Sequence, residues 1–456
     1  MFMTVLCTVV FAQNAASDFE INPDGTITKY VGWGATVVIP ETINGVRVTA
    51  IGNSAFARSD LTSVTIPRGV ISIGDNAFAS NKLTKVVIPD SVTYISGSNE
   101  YNGAFHDNQL VSVTIPGSGV IIGDGAFVNN SITSITLGKN HVFSAGIVSK
   151  VRNNRDNSDS SLFYDYVCND RKAGTYTVNR AVGATKKEED FPYFETQYGA
   201  YITGYTGSSR NRLIIPSKIA NLPVKAISGF GGISRVQIPD SVTYIGNSAF
   251  RGNKLTEVTI PAGVTYIGNL AFGGNQLTEI IIPDSVTYIG NLAFQSNQLT
   301  NVTIGNSVTY IGNNAFSGNK LTEVTIPTGA IYIGDYAFSG NQLTSAAIGN
   351  SVTYIGDYAF SGNQLTNAAI GNSVTYIGDY AFRGNKLTEI IIPDGITYIG
   401  NEAFSGNKLI SVTIGNNVTD SVTDRFGGPF TSEYSADGKV AGTYTFDPRA
   451  NKWTKW

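Results

Sequence analysis

The chain has 456 residues, of which 31 are basic and 34 acidic, for a formal net charge of −3. So sparse and balanced a charge set excludes an electrostatic grip on nucleic acid or on an anionic membrane. Two cysteines, Cys7 and Cys168, exclude a disulfide framework, and no apolar run approaches the roughly 20 residues of a spanning helix.

Residues 1–16, MFMTVLCTVVFAQNAA, are apolar and then small, as in a secretory signal peptide, with cleavage expected after Ala12 or Ala16. No Lys or Arg precedes the apolar run. Residues 17–50 form an atypical starting unit, expected as the N-terminal cap of a first repeat array over 51–137. Phe19–Pro40 has a counterpart in Phe194–Pro216: both place I-T-[KG]-Y and a Gly-rich turn before an I-P. About five extra residues near Ser96–Tyr101 read as a surface bulge.

Residues 138–185 leave the pattern and are expected to be an end cap. Their FYDYVCNDRKAGTYTVNR, Phe163–Arg180, matches EYSADGKVAGTYTFDPR, Glu433–Arg449, when Ala173 is set on Ala441. That alignment puts Ala436 opposite Cys168, which argues against a nucleophilic thiol common to both blocks. Lys186–Asp190, KKEED, reads as a solvated linker over 186–190. A second cap is expected over 191–226, a second array over 227–415 and a C-terminal end cap over 416–456. One plan is used twice.

The arrays are built on a fixed period. Ala-Phe closes a unit at Phe56, Phe78, Phe105 and Phe127, then every 22 residues from Phe250 through Phe272, Phe294, Phe316, Phe338, Phe360 and Phe382 to Phe404. A fixed period of this length means a solenoid, in which each unit relies on its neighbours to bury its apolar face. In Gly252–Phe272, GNKLTEVTIPAGVTYIGNLAF, residues 257–259 are expected to be extended, with Val258 inward and Glu257 and Thr259 outward. Pro261 ends that strand. Phe272 is expected to fill the interior beside the preceding Phe, and Asn253 and its equivalents to satisfy turn backbone groups of their own coil and the next.

The segment IPDSVTYIGNSAF, Ile238–Phe250, and its repeats resemble the BspA-like family of bacterial surface leucine-rich-repeat proteins. The likeness covers most of residues 36–137 and 213–415. It implies a β-rich leucine-rich-repeat solenoid with little helix, a curved right-handed superhelix with a parallel sheet on its concave face. It also implies an exported protein that adheres to host or neighbouring bacterial surface proteins.

No cofactor, metal site or catalytic group is expected. The two histidines, His106 and His141, stand apart from any metal-ligand spacing, and Asp156–Asp159 is only a weak calcium-loop look-alike. Candidate partner-binding residues come from columns that repeat once per coil. One pair of columns flanks the strand and contributes Glu257, Thr259, Glu279, Ile281, Thr303, Glu323 and Thr325. The other is a tyrosine ladder, of which Tyr266, Tyr288, Tyr310, Tyr332, Tyr354 and Tyr376 are the candidates. Stacking that stiffens the solenoid and an aromatic contact strip are both open for the ladder. The chain is therefore expected to be a cell-surface binding scaffold, adhesin-like, secreted, and not an enzyme. The alternative is a self-associating structural surface or matrix protein.

Overall fold

The computed structural model describes residues 14–98, 103–139, 142–143, 173–177, 186–188, 190–196, 198–207, 212–416, 426, 441–447, 450 and 452–455. These fall into two compact units, one drawn from Met1–Thr185 and Phe194–Tyr198 and the other from Lys186–Tyr193 and Gly199–Trp456. Both are β-solenoids. Among the described residues the one helical segment is a short 3₁₀ turn, Ala16–Asp18.

Coils of the second unit contribute strand residues to two rows that pair with their neighbours. The more continuous one is only two residues wide. Eight Tyr-Ile strands, from Tyr244–Ile245 to Tyr398–Ile399, run parallel and in strict register within a thirteen-stranded sheet. Aromatic and β-branched residues favour such a pleated, half-buried position. The Gly after each Ile limits the strand, and no larger residue fits there. A Cβ on Gly312 would stand 2.6 Å from the Asn291 backbone nitrogen of the preceding coil.

The strand expected at Leu-x-x-Val-x-Ile forms the second, less continuous row. Glu279–Ile282 pairs with Asn301–Ile304, Ser345–Ala347 with Asn367–Ala369, and Glu389–Ile392 with Ser411–Ile414. Residues 257–259 lie outside any named strand, and 323–325 contribute only a bridge from Thr325 to Ala347. The inside-outside alternation holds there nonetheless: Glu257 and Thr259 are exposed, and Val258 packs half-buried against the core.

Between the two rows runs the core. Phe230 stacks on Phe250, and the column continues to Phe404 and Phe426 with ring centroids 5.1–5.4 Å apart. The first unit repeats this from Phe56 to Phe127. Burying each such ring stabilises by about 1.5–3 kcal/mol before conformational costs. Asn275 shows the polar spine: its Nδ2 donates to the carbonyls of Phe250 and Phe272, at 2.8 and 2.9 Å, and its Oδ1 accepts the N–H of Leu255. The direction differs from expectation. Each Asn ties its own turn to the preceding coil, because its side chain points back along the solenoid.

Both units close with antiparallel strands. Gly174–Thr177 pairs with Ser134–Leu137, and Gly442–Asp447 pairs with Ser411–Ile414. The duplicated Ala-Gly-Thr-Tyr-Thr blocks thus each cover the edge of a last parallel strand, as a solenoid end requires. At the start of the first unit, Phe19–Ile21 pairs antiparallel with Thr26–Tyr30. Lys186–Glu188, read from its charge as a linker, is instead a strand antiparallel to Phe191–Thr196. Backbone pairing there outweighs the preference of a charge run for solvent. The extra residues of the first array shift the register between Ile95 and Ser98 against Ile121–Asp124. Residues 1–13, Asp156–Asp159, His141 and Cys168 lie outside the described residues.

Candidate functional site

The strand-flanking candidates all stand on the exposed side of their coils. Glu257, Thr259, Glu279, Ile281, Thr303, Glu323 and Thr325 are exposed, while Ile280, Val302 and Val324 between them are buried. Register sets Glu279 beside Asn301 and Ile281 beside Thr303. Ile281 is 69% exposed and Ile391, five coils on in the same column, 66%. In the first unit Val87 occupies the same face, in a shallow groove with Thr65, Arg68, Lys85 and Asp90.

The tyrosine ladder divides in two. Its rings stack from Tyr244 to Tyr398 at centroid spacings of 4.4–4.9 Å. Tyr266, Tyr288 and Tyr310 are only 1%, 2% and 9% exposed, so the ladder there is packing, and those three candidates are inside rather than outward. Tyr332, Tyr354, Tyr376 and Tyr398 are half-buried and reach the surface.

Next to that open half lies a second aromatic ladder which the column analysis missed. Tyr336 stacks on Tyr358 at 4.6 Å and Tyr358 on Tyr380 at 4.7 Å. Each occupies the slot before Ala-Phe, where the backbone is left-handed: φ is 57°, 55° and 58°. A bulky residue held there costs of order 1–3 kcal/mol. Immediately before them stand Asp335, Asp357 and Asp379. The legible signal was the change to Asp-Tyr in three successive repeats, where preceding coils have Asn-Ser, Asn-Leu or Asn-Asn.

The electrostatics follow from this crowding. Burial, and then the Asp357 charge, push the Asp335 carboxyl up, against the opposing hydrogen bond from the Asp357 backbone. Burial and the neighbouring Tyr398 push the Tyr376 hydroxyl up to about 12, and the Asp357 and Asp379 charges add to it. Tyr354 is raised by burial, then by Tyr376, Asp335 and Asp357. Tyr336 is raised by burial and then by Tyr358, and Tyr380 chiefly by the Glu402 charge. The hydroxyls therefore stay protonated near neutrality, as donors and acceptors rather than bases.

His106, the one described histidine, reaches Asn76 Oδ1 at 2.7 Å and Asp107 Oδ2 at 3.0 Å with its two ring nitrogens. It links neighbouring turns. No group of three His, Cys, Asp or Glu among the described residues could hold a metal ion. No helix among them is long and apolar enough to cross a membrane.

No curated protein matches the chain. Several solved structures do. The pneumococcal vaccine antigen PcpA is 21% identical, over 54% of this chain and 84% of that one, with a TM-score of 0.33. A leucine rich cell surface protein of Faecalibacterium prausnitzii is 20% identical, over 90% and 96%, with a TM-score of 0.28. A leucine-rich repeat protein of Bacteroides ovatus is 21% identical, over 49% and 81%, with a TM-score of 0.29. The model of the BspA type leucine rich repeat region matches residues 36–146, 203–322 and 309–428, well over half of the chain. With the coils, the asparagine spine and the phenylalanine column in place, the chain belongs to the BspA type leucine-rich-repeat family.

Proposed function

We propose that this protein is a cell-surface scaffold that binds other proteins through its repeat surface, in the manner of an adhesin, without catalysing a reaction. The observation that supports this is a contrast between columns of the second unit. Inward positions are nearly uniform from coil to coil: Leu255 to Leu387, Ala249 to Ala403, Phe250 to Phe404 are fully buried. The outward strand positions vary among Glu, Asn and Ser, and among Thr, Ile and Ala, on the same backbone. A fixed frame that displays a varied, exposed, mildly apolar row is what specific protein contact needs. The one-plan-twice arrangement, with caps on each array, presents two such frames.

The test has two arms. Protease added to intact cells should remove the protein, and the purified full chain should bind immobilised extracellular-matrix or bacterial surface proteins saturably. A chain that is shielded inside intact cells and binds none of them contradicts the reading. Self-association, the competing structural role, is favoured by the exposed Ile281 and Ile391 on a face of parallel strands. Sedimentation of the purified chain decides it: a stable monomer over a wide concentration range removes that alternative.

A further inference from the structure

Three coils of the second unit carry two changes that the fold does not ask for. The slot before the left-handed residue needs a side-chain oxygen to accept the N–H of the following coil. Asn247, Asn269 and Asn291 supply it at 2.8 Å. Asp335, Asp357 and Asp379 supply the same bond at 2.9, 2.7 and 2.6 Å. The carboxylates therefore add charge and no new ladder geometry, and they stand one coil apart as like charges. The left-handed slot itself favours Asn, Asp or Gly, and Asn314 fills it one coil earlier. Leu270 and Leu292 hold it in two earlier coils, and Tyr336, Tyr358 and Tyr380 place a large aromatic ring there. Both departures fall in the same three coils, where the first tyrosine ladder also comes to the surface. Local departures from a fold's preferences, without structural gain, mark functional sites.

We propose that this strip, two tyrosine ladders flanking the Asp335–Asp357–Asp379 row, is a binding site for an arginine-rich polypeptide segment. Stacked rings cover one another's faces, so an aromatic platform for a sugar is not on offer. What the strip presents is a row of phenol hydroxyls and carboxylates, all able to accept hydrogen bonds, with the negative charge on the carboxylates. The complementary partner is donor-rich and cationic. The chain shows one such contact already: the Arg383 guanidinium lies 5.0 Å from the centroid of the Tyr380 ring, at the end of the second ladder, with Glu402 4.0 Å from its Nε. A planar guanidinium suits both groups better than an ammonium, since it stacks on a ring while its fork of N–H donors meets a carboxylate. This site deepens the scaffold reading by naming a partner chemistry, and rests on it for its biological use.

The experiment uses the full chain and fluorescein-labelled nona-arginine at about 150 mM salt, where long-range attraction between exposed charges is screened. Nona-lysine and a neutral Gly-Ser peptide are the reference probes. The variant Asp335→Asn/Asp357→Asn/Asp379→Asn keeps the ladder acceptors, as Asn does in other coils. It should lose nona-arginine affinity by about tenfold, the scale of charge-assisted hydrogen bonds. The variant Asp240→Asn/Asp284→Asn/Asp394→Asn removes the same charge from exposed turns that follow the Ile-Pro strand ends and should leave affinity within about twofold. Tyr336→Asn/Tyr358→Asn/Tyr380→Asn should also weaken binding, and nona-lysine should bind less tightly than nona-arginine. Equal losses in the two acidic variants would assign binding to bulk charge and overturn the site. So would full affinity in the folded Asp→Asn variant, or no binding by the unaltered chain. A chain that holds matrix proteins but not nona-arginine sinks this site alone. One that holds nona-arginine on the strip but binds no surface protein sinks the scaffold reading alone.

Discussion

Asp357 donates its backbone N–H to the carboxylate of Asp335 across one coil, at 2.9 Å, so that two like charges stand a single repeat apart. The bond favours the charged carboxylate. Burial and the Asp357 charge disfavour it and prevail, which raises the Asp335 carboxyl above its usual range. A carboxyl raised in the folded state is protonated more readily there than in the unfolded chain. Its stabilising share is present below the ordinary value of about 3.9 and is lost as pH rises through the folded value. Asp335→Asn should therefore melt higher than the parent at neutral pH, by about 1–3 °C, with the gap closing toward acid. A lower melting temperature for the variant at pH 7 would show that the carboxylate is net stabilising.

The asparagine spine makes a sharper demand. Asn319 is buried, donates to the Phe294 and Phe316 carbonyls at 3.0 and 2.9 Å, and accepts the Leu299 N–H at 3.1 Å. Asn319→Ala strands all three backbone groups away from water. The expected loss is about 3–5 kcal/mol in denaturant unfolding, as for a broken buried network. Thr322→Ala, on an exposed position of the same coil, should change stability by less than about 0.5 kcal/mol. Comparable losses would mean that the spine is not the tie between coils.

Tyrosine substitutions should separate along the ladder. Tyr288 is fully enclosed, so Tyr288→Ser opens a cavity and should cost about 3–5 kcal/mol. Tyr354 is half-buried, and Tyr354→Ser should cost about 1–2 kcal/mol, because solvent fills the space the ring leaves. Urea unfolding of the two single variants reads this difference. The same cost at both sites would contradict the burial gradient.

The closing strands can be tested by deletion. Removing residues 441–456 uncovers the edge of Ser411–Ile414 and takes away the buried Tyr444 and Trp453 rings. Such a chain should aggregate during purification, since an open parallel edge pairs with other edges. Removing one internal repeat, residues 317–338, leaves every ladder in register and should give a soluble, shorter solenoid. Light scattering of the two deletion proteins compares them, and aggregation of the repeat deletion alone would reverse the roles assigned to cap and coil.

Much of this molecule was legible before any coordinates. A 22-residue period forces equivalent positions of successive coils into contact, so a column of Phe read in the sequence is a column of stacked rings in space. The spacing of Asn and Leu likewise implied a buried amide at each turn, and the paired Ala-Gly-Thr-Tyr-Thr blocks implied two closing strands. Three things were decided only by the tertiary structure. The two-residue Tyr-Ile segment is too short to show any alternation, yet it makes the longest sheet because its hydrogen bonds run between coils rather than along the chain. The tyrosine column looks uniform in sequence, but its rings are enclosed at Tyr266 and Tyr288 and open at Tyr354, since burial depends on the shell around a ring and not on its own identity. The Asp-Tyr pairs gained their meaning only when the left-handed backbone at Tyr336, Tyr358 and Tyr380 showed that a smaller residue would fit there with less strain. Periodicity dictates which residues are neighbours. Solvent access and backbone strain arise from all the neighbours at once, and they exist only in the folded chain.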